Sequence, residues 1–453
     1  MNITTNWIHK HFPSARGVAS ETIEIRNVFT DTRKKTDKGL FVPIRGDRFD
    51  GHEFLKDAIE GGAVAALWDQ SVEVPGFVPT DFPLFFVDDT IIGLQQLAHI
   101  YRKEINPKVI GVTGSNGKTT TKDFIAAVLA PSFETHKTSG NFNNHIGLPL
   151  TILSMPATTE VLVLEMGMNH FGEIENLSFI AEPDFAVITN IGESHIEFLG
   201  SREGIAQAKS EILAGLREGG TLLLDGDEPL LAPLHTREGV LSCGFDQKNK
   251  YVLSDIQMSG ASTSFAINEN ESYTIHLLGK HNVKNASFAI KIGSLLGMDP
   301  SDIQKGLNEM TLTGMRFELI EGKNGAHIVN DAYNASPTSM RASIEVIKEL
   351  NQYSRKILIL GDIFELGAQS EEMHRSVAKA IDSSVDVLIT VGDASSVIAE
   401  EVRSHHKDVD TYSFSSKEEA AALVQPMLQE GTIVLLKASR LMAFESFVEE
   451  FTE

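Results

Sequence analysis

The stretch KVIGVTGSNGKTTTKDFIAAVLA, residues 108–130, limits the folds open to this chain more than any other. A short β-branched run from Lys108 to Thr113 ends in a Gly-rich turn and passes at once into a helical pattern. A strand that feeds a helix needs a crossover to reach its next strand, which predicts a parallel sheet covered on both faces. The alternation continues through EVLVLEMG, DFAVITNIG and GGTLLLDGDE, with the helical stretch SREGIAQAKSEILAGL between the last two. The part from YVLSDIQM to SYTIHLLG is more strand-like, and NVKNASFAIKIGSLLG returns to helix.

Two further textures flank this middle part. Up to about Tyr101 the apolar runs are short (GLFVPI, AVAALW, FPLFFV) and broken by glycine, proline and charge, as in a small α/β domain. From TLTGMRFELI onward, strand runs AHIVNDAY, KILILGD, DVLITVGD and TIVLLKAS alternate with helices such as SPTSMRASIEVIKEL and KEEAAALVQPMLQ, the pattern of an open doubly wound sheet. A chain of 453 residues is too long for one core and suits several domains.

The turn itself is built for phosphate, although it misses the G-x-x-x-x-G-K-[ST] pattern by one residue. That pattern asks for glycine at Val112, and the glycines stand at 111 and 114. Gly114 and Gly117 let backbone N–H groups curl toward one point, and the helix N-terminus adds partial positive charge. Thr113, Gly114, Ser115, Asn116, Gly117, Lys118, Thr119 and Thr120 are the expected ATP contacts, with Lys118 on the β/γ-phosphates and the Thr119 hydroxyl on Mg²⁺. The competing reading is a Gly-rich turn with a solvent-facing lysine; the strand before it and the Thr-rich helix after it argue against that.

Composition narrows the partners. Acids outnumber bases 62 to 39, a net charge of −23, so nucleic acid and anionic membranes are poor partners and any polyphosphate site must gather positive charge locally. Cys243 is the only cysteine, which excludes an intrachain disulfide and a multi-cysteine metal site. No apolar run approaches a membrane span, and the start lacks a signal-peptide core, so a cytoplasmic protein without membrane insertion is expected. Glu165 ends the apolar strand VLVLE downstream of the loop, where a metal-ligating carboxylate is expected, and His195 follows the end of the next such strand as a second metal candidate.

The string TGSNGKTT resembles the nucleotide loop of the Mur ligase superfamily, where G-[ST]-N-G-K-[ST] replaces the usual form, and the resemblance runs in order along nearly the whole chain. It implies an α/β fold of three domains: a small α/β uridine-nucleotide domain over 1–104, a central P-loop ATPase domain with a mostly parallel sheet over 105–313, and a C-terminal Rossmann-like doubly wound domain over 314–453. Lys209 in AQAKSEI matches the lysine that most members carry as a carbamate, an anion able to orient a second Mg²⁺. In LLGKHNVKNASFAI, Asn282 would read the adenine edge, with Asn285 packing beside it; an N-cap role for Asn282 is the alternative. Arg316 would contact the nucleotide phosphates and Asp331 the ribose hydroxyls, while Tyr333 stands where many members have a lysine.

Within that superfamily, TDTRKKTDKGLFVPIRGDRFDGHEF is similar to the uridine-nucleotide domain and implies substrate contacts at Thr32, Arg33 and Gly46. TSGNFNNHIGLPLTIL, with Asn141 and Asn144, and LGDIFELG, with Asp362 and Glu365, are similar to the branch that adds a dipeptide. The resemblance therefore implies a monomeric ligase in which Lys118, Glu165, His195 and Lys209 are catalytic, and Thr119, Glu165, His195 and Lys209 hold two Mg²⁺ ions. It would use ATP to join D-alanyl-D-alanine to UDP-N-acetylmuramoyl-tripeptide. The alternatives are a MurE-type ligase adding one amino acid, whose D-N-P-[RK] selector is missing here, and a catalytically silent nucleotide-binding regulator. Hinge motion is expected near TLTGMRFE.

Overall fold

The computed structural model describes residues 3–46 and 48–452. Three main sheets follow one another along the chain, and their fold is α/β throughout. The first has five strands in the order Ala15–Arg16, Leu84–Val87, Ala63–Asp69, Gly39–Phe41, Asn27–Phe29, parallel except at the Ala15–Arg16 edge. Its helix Thr90–Ile105 starts on Asp89, whose side chain accepts from the Ile91 and Ile92 amides. That helix packs on Gly147–Ser154 of the middle region, and Tyr101 Oη donates to the Met155 carbonyl at 2.9 Å, fastening the first region to the second.

The middle sheet has nine strands. Lys108–Thr113 lies third from one edge, between Val161–Glu165 and Phe185–Ile188, in parallel register with both. The chain leaves Lys108–Thr113 toward one edge, returns through Val161–Glu165, then crosses to Phe185–Ile188 on the other side. A crevice at the carboxyl ends of the strands forms where that order reverses, and the loops after all three strands meet there. Apolar clusters cover both faces, which is why these strands read as near-continuous hydrophobic runs. The strand-like segment 251–275 forms the antiparallel end of this sheet.

The third sheet orders Glu318–Glu321, His327–Asn330, Thr432–Lys437, Arg355–Gly361, Val387–Val391, Asp410–Phe414. It is parallel and doubly wound apart from its antiparallel first edge. The segment joining it to the middle sheet is gripped by the phosphate-loop helix Lys118–Leu129: Asp123 Oδ2 accepts from Thr313 N at 3.0 Å and Thr313 Oγ1 at 2.8 Å. Burial pushes the Asp123 carboxyl up, but Lys122 and Lys137 more than reverse this and leave it below the usual range.

Two helices end earlier than their patterns suggest. The stretch expected to be helical over 201–216 is α-helix only for Arg202–Ser210 and tightens into the turn Glu211–Leu213. Gly215 then passes so close to Ser178 that an added Cβ would sit 2.1 Å from its carbonyl oxygen. The helix expected over 417–429 stops at Val424, because Pro426 offers no N–H to continue it.

Candidate active site

A cleft of about 630 Å³ opens between the middle and third sheets. It is lined by four lysines and three arginines against five carboxylates, so a chain of net charge −23 still concentrates cations at this one place.

The phosphate loop forms its floor. Gly114 has φ +148 and Gly117 φ +79, and side chains would collide at both: a Cβ on Gly114 would lie 1.8 Å from Thr189 Oγ1, and one on Gly117 2.5 Å from Asn285 Oδ1. The loop is braced from the next strand. Ser115 N donates to the Asn190 carbonyl at 3.1 Å, Asn116 N to Asn190 Oδ1 at 2.9 Å, and Thr189 Oγ1 to the Asn116 carbonyl at 2.6 Å. Ser115 Oγ, Asn116 Nδ2 and Arg316 Nε are buried without a partner among the described residues. Buried orphan groups of this kind mark a cradle that is completed by a ligand or water.

Lys118 curls inward, its Nζ 2.8 Å from the Gly114 carbonyl. Burial lowers its pKa, Glu165 opposes that, and the nearby Arg316 guanidinium adds to it. Glu165 ends its strand with one oxygen accepting from Thr119 Oγ1 and the other from Asn143 Nδ2, each at 2.8 Å. Lys209 is buried, and its Nζ makes no hydrogen bond among the described residues. Burial and the Lys118 charge hold it well below 10.5. His195 sits in the left-handed region at φ 65, with Nδ1 2.6 Å from Glu365 Oε2 of the third domain. That contact is a close approach of imidazole and carboxylate rather than a hydrogen bond.

From the other wall, Arg316 stacks on the Tyr333 ring at 4.1 Å, which turns its donor edge along the cleft. Asp331 is engaged on both oxygens: Oδ1 by Phe317 N at 3.2 Å, Oδ2 by Lys437 Nζ and Ser343 Oγ, each at 2.6 Å. Asn282 is no N-cap. Its helix starts at Lys280 after Gly279, and its amide donates to the Leu278 carbonyl at 2.8 Å. Burial pushes the neighbouring His281 down to about 4, so that imidazole is neutral.

Ser115, Asn116, Gly117, Lys118, Thr119, Thr120, Asn141, Glu165, His195, Lys209, Asn282, Arg316 and Asp331 all line the cleft, and Thr113 and Gly114 precede them at the strand end. Glu365 reaches it only through His195. Others are placed elsewhere. Asn144 uses its side-chain oxygen on the Ile146 and Gly147 amides at the start of a helix. Asp362 accepts from Ser395 N at 2.7 Å inside the third domain. Thr32, Arg33 and Gly46 lie on the first domain away from the cleft lining, Arg33 exposed and paired with Asp31, Gly46 in a turn closed by the Phe49 carbonyl. Asn143, Thr189, Asn190, Glu193 and Lys437 also line the cleft, beyond the residues expected from sequence. Thr189 and Asn190 had a usable signal, since they follow a buried strand end in the same string as His195.

Three family models match the chain: "Mur ligase family, catalytic domain" over residues 24–110, "Mur ligase middle domain" over 112–293, and "Mur ligase, glutamate ligase domain" over 315–440. A Bacillus subtilis protein named UDP-N-acetylmuramoyl-tripeptide–D-alanyl-D-alanine ligase is 48% identical over 96% of this chain and 94% of its own length. An Escherichia coli protein of the same name is 31% identical over 95% and 94%. The crystal structure of MurF from Acinetobacter baumannii superposes with a TM-score of 0.87 at 28% identity, covering 99% of this chain and 98% of that one. MurF from Thermotoga maritima in complex with ADP gives 0.82 at 30% identity, over 94% and 97%. With its phosphate loop, its three domains and these relatives in agreement, the chain belongs to the Mur ligase family, in its MurF branch.

Proposed function

We propose that this chain is an ATP-dependent ligase that joins D-alanyl-D-alanine to the terminal carboxylate of UDP-N-acetylmuramoyl-tripeptide, giving the pentapeptide cell-wall precursor, ADP and phosphate. The observation that carries the reading is the meeting of Lys118, Glu165, Lys209 and His195 with Arg316 and Asp331 in one cleft between two domains. Likeness to a ligase so named over 96% of the chain supports it.

The chemistry follows from charge. A carboxylate resists amines because oxide is a poor leaving group. Its oxygen therefore attacks the γ-phosphorus of ATP, the bond to the β-phosphate oxygen breaks, and ADP leaves behind an acyl phosphate. The neutral amine of the dipeptide adds to the acyl carbon, the nitrogen gives up a proton to solvent, and the tetrahedral oxyanion collapses with loss of phosphate. Lys118 and Arg316 hold the transferring phosphoryl group, and the loop amides cradle its neighbours. Asn282 and Asp331 face the nucleoside.

Thr119 Oγ1 and Glu165 offer hard oxygen donors 2.8 Å apart, a set that fits Mg²⁺. The ion, when bound, supplies neutralising charge between the anionic reactants. A carbamate on Lys209 would give a second Mg²⁺ the anion it needs, and His195 keeps Nε2 for that side of the cleft. Thr32, Arg33 and Gly46 belong with the uridine end of the substrate, Asn141 and Asn144 with its peptide, and Asp362 and Glu365 with the dipeptide side. Domain limits at 1–104, 105–313 and 314–453 divide these tasks. The enzyme works as a cytoplasmic monomer.

The test is ADP release with lysine- and diaminopimelate-containing UDP-tripeptides, each offered D-alanyl-D-alanine or single amino acids. Turnover with the dipeptide alone is expected; turnover with a single amino acid and none with the dipeptide overturns the reading.

A further inference from the structure

The helix Pro337–Glu349 of the third domain starts with one partner missing from its own domain. Pro337 has no N–H, Ser339 N donates to Ser336 Oγ at 3.2 Å, and Met340 N donates to the Ser336 carbonyl at 2.9 Å. Thr338 N is the donor left over. It bonds across the cleft to Glu193 Oε2 at 3.1 Å, while Thr338 Oγ1 donates to Glu193 Oε1 at 2.8 Å and Arg341 Nη2 stands 3.4 Å from the same oxygen. The Glu193 side chain is only 11% exposed. An acid of the middle domain thus completes the cap of a third-domain helix, at the positive end of its dipole.

The loop that carries Glu193 also carries Thr189 and Asn190, which brace the phosphate loop, and His195, which approaches Glu365. A second strut runs parallel to it, from Ser336 Oγ to Asn116 Oδ1 at 3.2 Å. One short loop therefore touches the phosphate cradle on one side and the third domain on the other.

We propose that Glu193 is a positioning residue, a latch that holds the third domain closed over the phosphate loop and sets the loop bearing His195. The inference rests on the ligase reading, because closure matters where an acyl phosphate must be kept from water. When the domains part, both the carboxylate and the Thr338 amide regain water, so the latch releases at small net cost, as product release requires.

Cys243, the only cysteine, is buried, so spin labels on a full-length Glu218→Cys/Ser404→Cys protein report the separation of the two domains cleanly. Distances are recorded with a non-hydrolysable ATP analogue for that background and for Glu193→Ala and Glu193→Gln added to it; kcat and KM are measured on the same three in unlabelled form. Glu193→Ala is expected to broaden the distribution toward longer distances and to lower kcat/KM for the dipeptide by about tenfold or more. Glu193→Gln, which keeps shape and one acceptor, falls between. Thr338→Val is expected to cost little further on the Glu193→Ala background. A background distance distribution in Glu193→Ala, or an unchanged kcat/KM, overturns the latch, as does a fall in Tm with neither effect. Should the unsubstituted protein fail to turn over the dipeptide, the ligase reading falls, and the distance comparison still decides the latch.

Discussion

Lys118 and Lys209 are two lysines in one cleft with opposite tasks. Lys118 keeps carbonyl and carboxylate company: its Nζ donates to the Gly114 carbonyl, and Glu165 opposes the lowering of its pKa by burial. Lys118→Ala should lower turnover by about 10²–10³-fold while circular dichroism stays unchanged, as for loss of one donor aimed at developing charge. Lys209 has no such company, and its pKa lies well below 10.5. The unfolded chain keeps that proton up to about 10.5, so between the two values the unfolded state binds more protons and stability rises with pH. Lys209→Met in CO₂-depleted buffer should therefore abolish activity yet stabilise the protein at pH 7, a gain that shrinks as pH approaches 10.5. Denaturant titrations at pH 7 and 9 check it. Helical spacing alone reads Lys209 as a polar face, and only the resemblance of AQAKSEI to the family singled it out. Nor could it choose among the three asparagines of N-F-N-N: an irregular loop has no period, and only tertiary packing turned Asn143 toward Glu165.

At the scale of elements, the strand–turn–helix unit was the legible part. Apolar runs fixed where strands lie, and the two turn glycines announced a backbone that other residues cannot follow. Gly114→Ala is strained twice, by φ +148 and by a Cβ 1.8 Å from Thr189 Oγ1. It should weaken ATP binding, measured calorimetrically, by tenfold or more, on the order of 1–3 kcal/mol of strain. The fold should remain, because the strand and helix on either side keep their own packing. Helix ends were less legible. The helix that stops at Val424 has Pro426 written in the sequence after it, whereas the one that stops at Ser210 has no such local mark.

For the whole molecule the decisive fact is that the cleft belongs to no single domain. Its floor comes from the middle sheet and its far wall from the third, joined through a segment that Asp123 grips at Thr313. Closure about that segment should show as a smaller radius of gyration in X-ray scattering when an ATP analogue and the UDP-linked substrate are both present; equal values with and without them count against hinge motion. No helix among the described residues is long and apolar enough to cross a membrane. The sequence by itself determined the three textures, the order of strands and helices, and the phosphate loop, because periodicity and turn chemistry act over a few neighbouring residues. Only the tertiary structure decided that Glu193 caps a helix 145 positions away, that Glu365 approaches His195, and that Asp362 turns inward. Such contacts depend on how separate sheets settle against each other, and no local pattern carries that information.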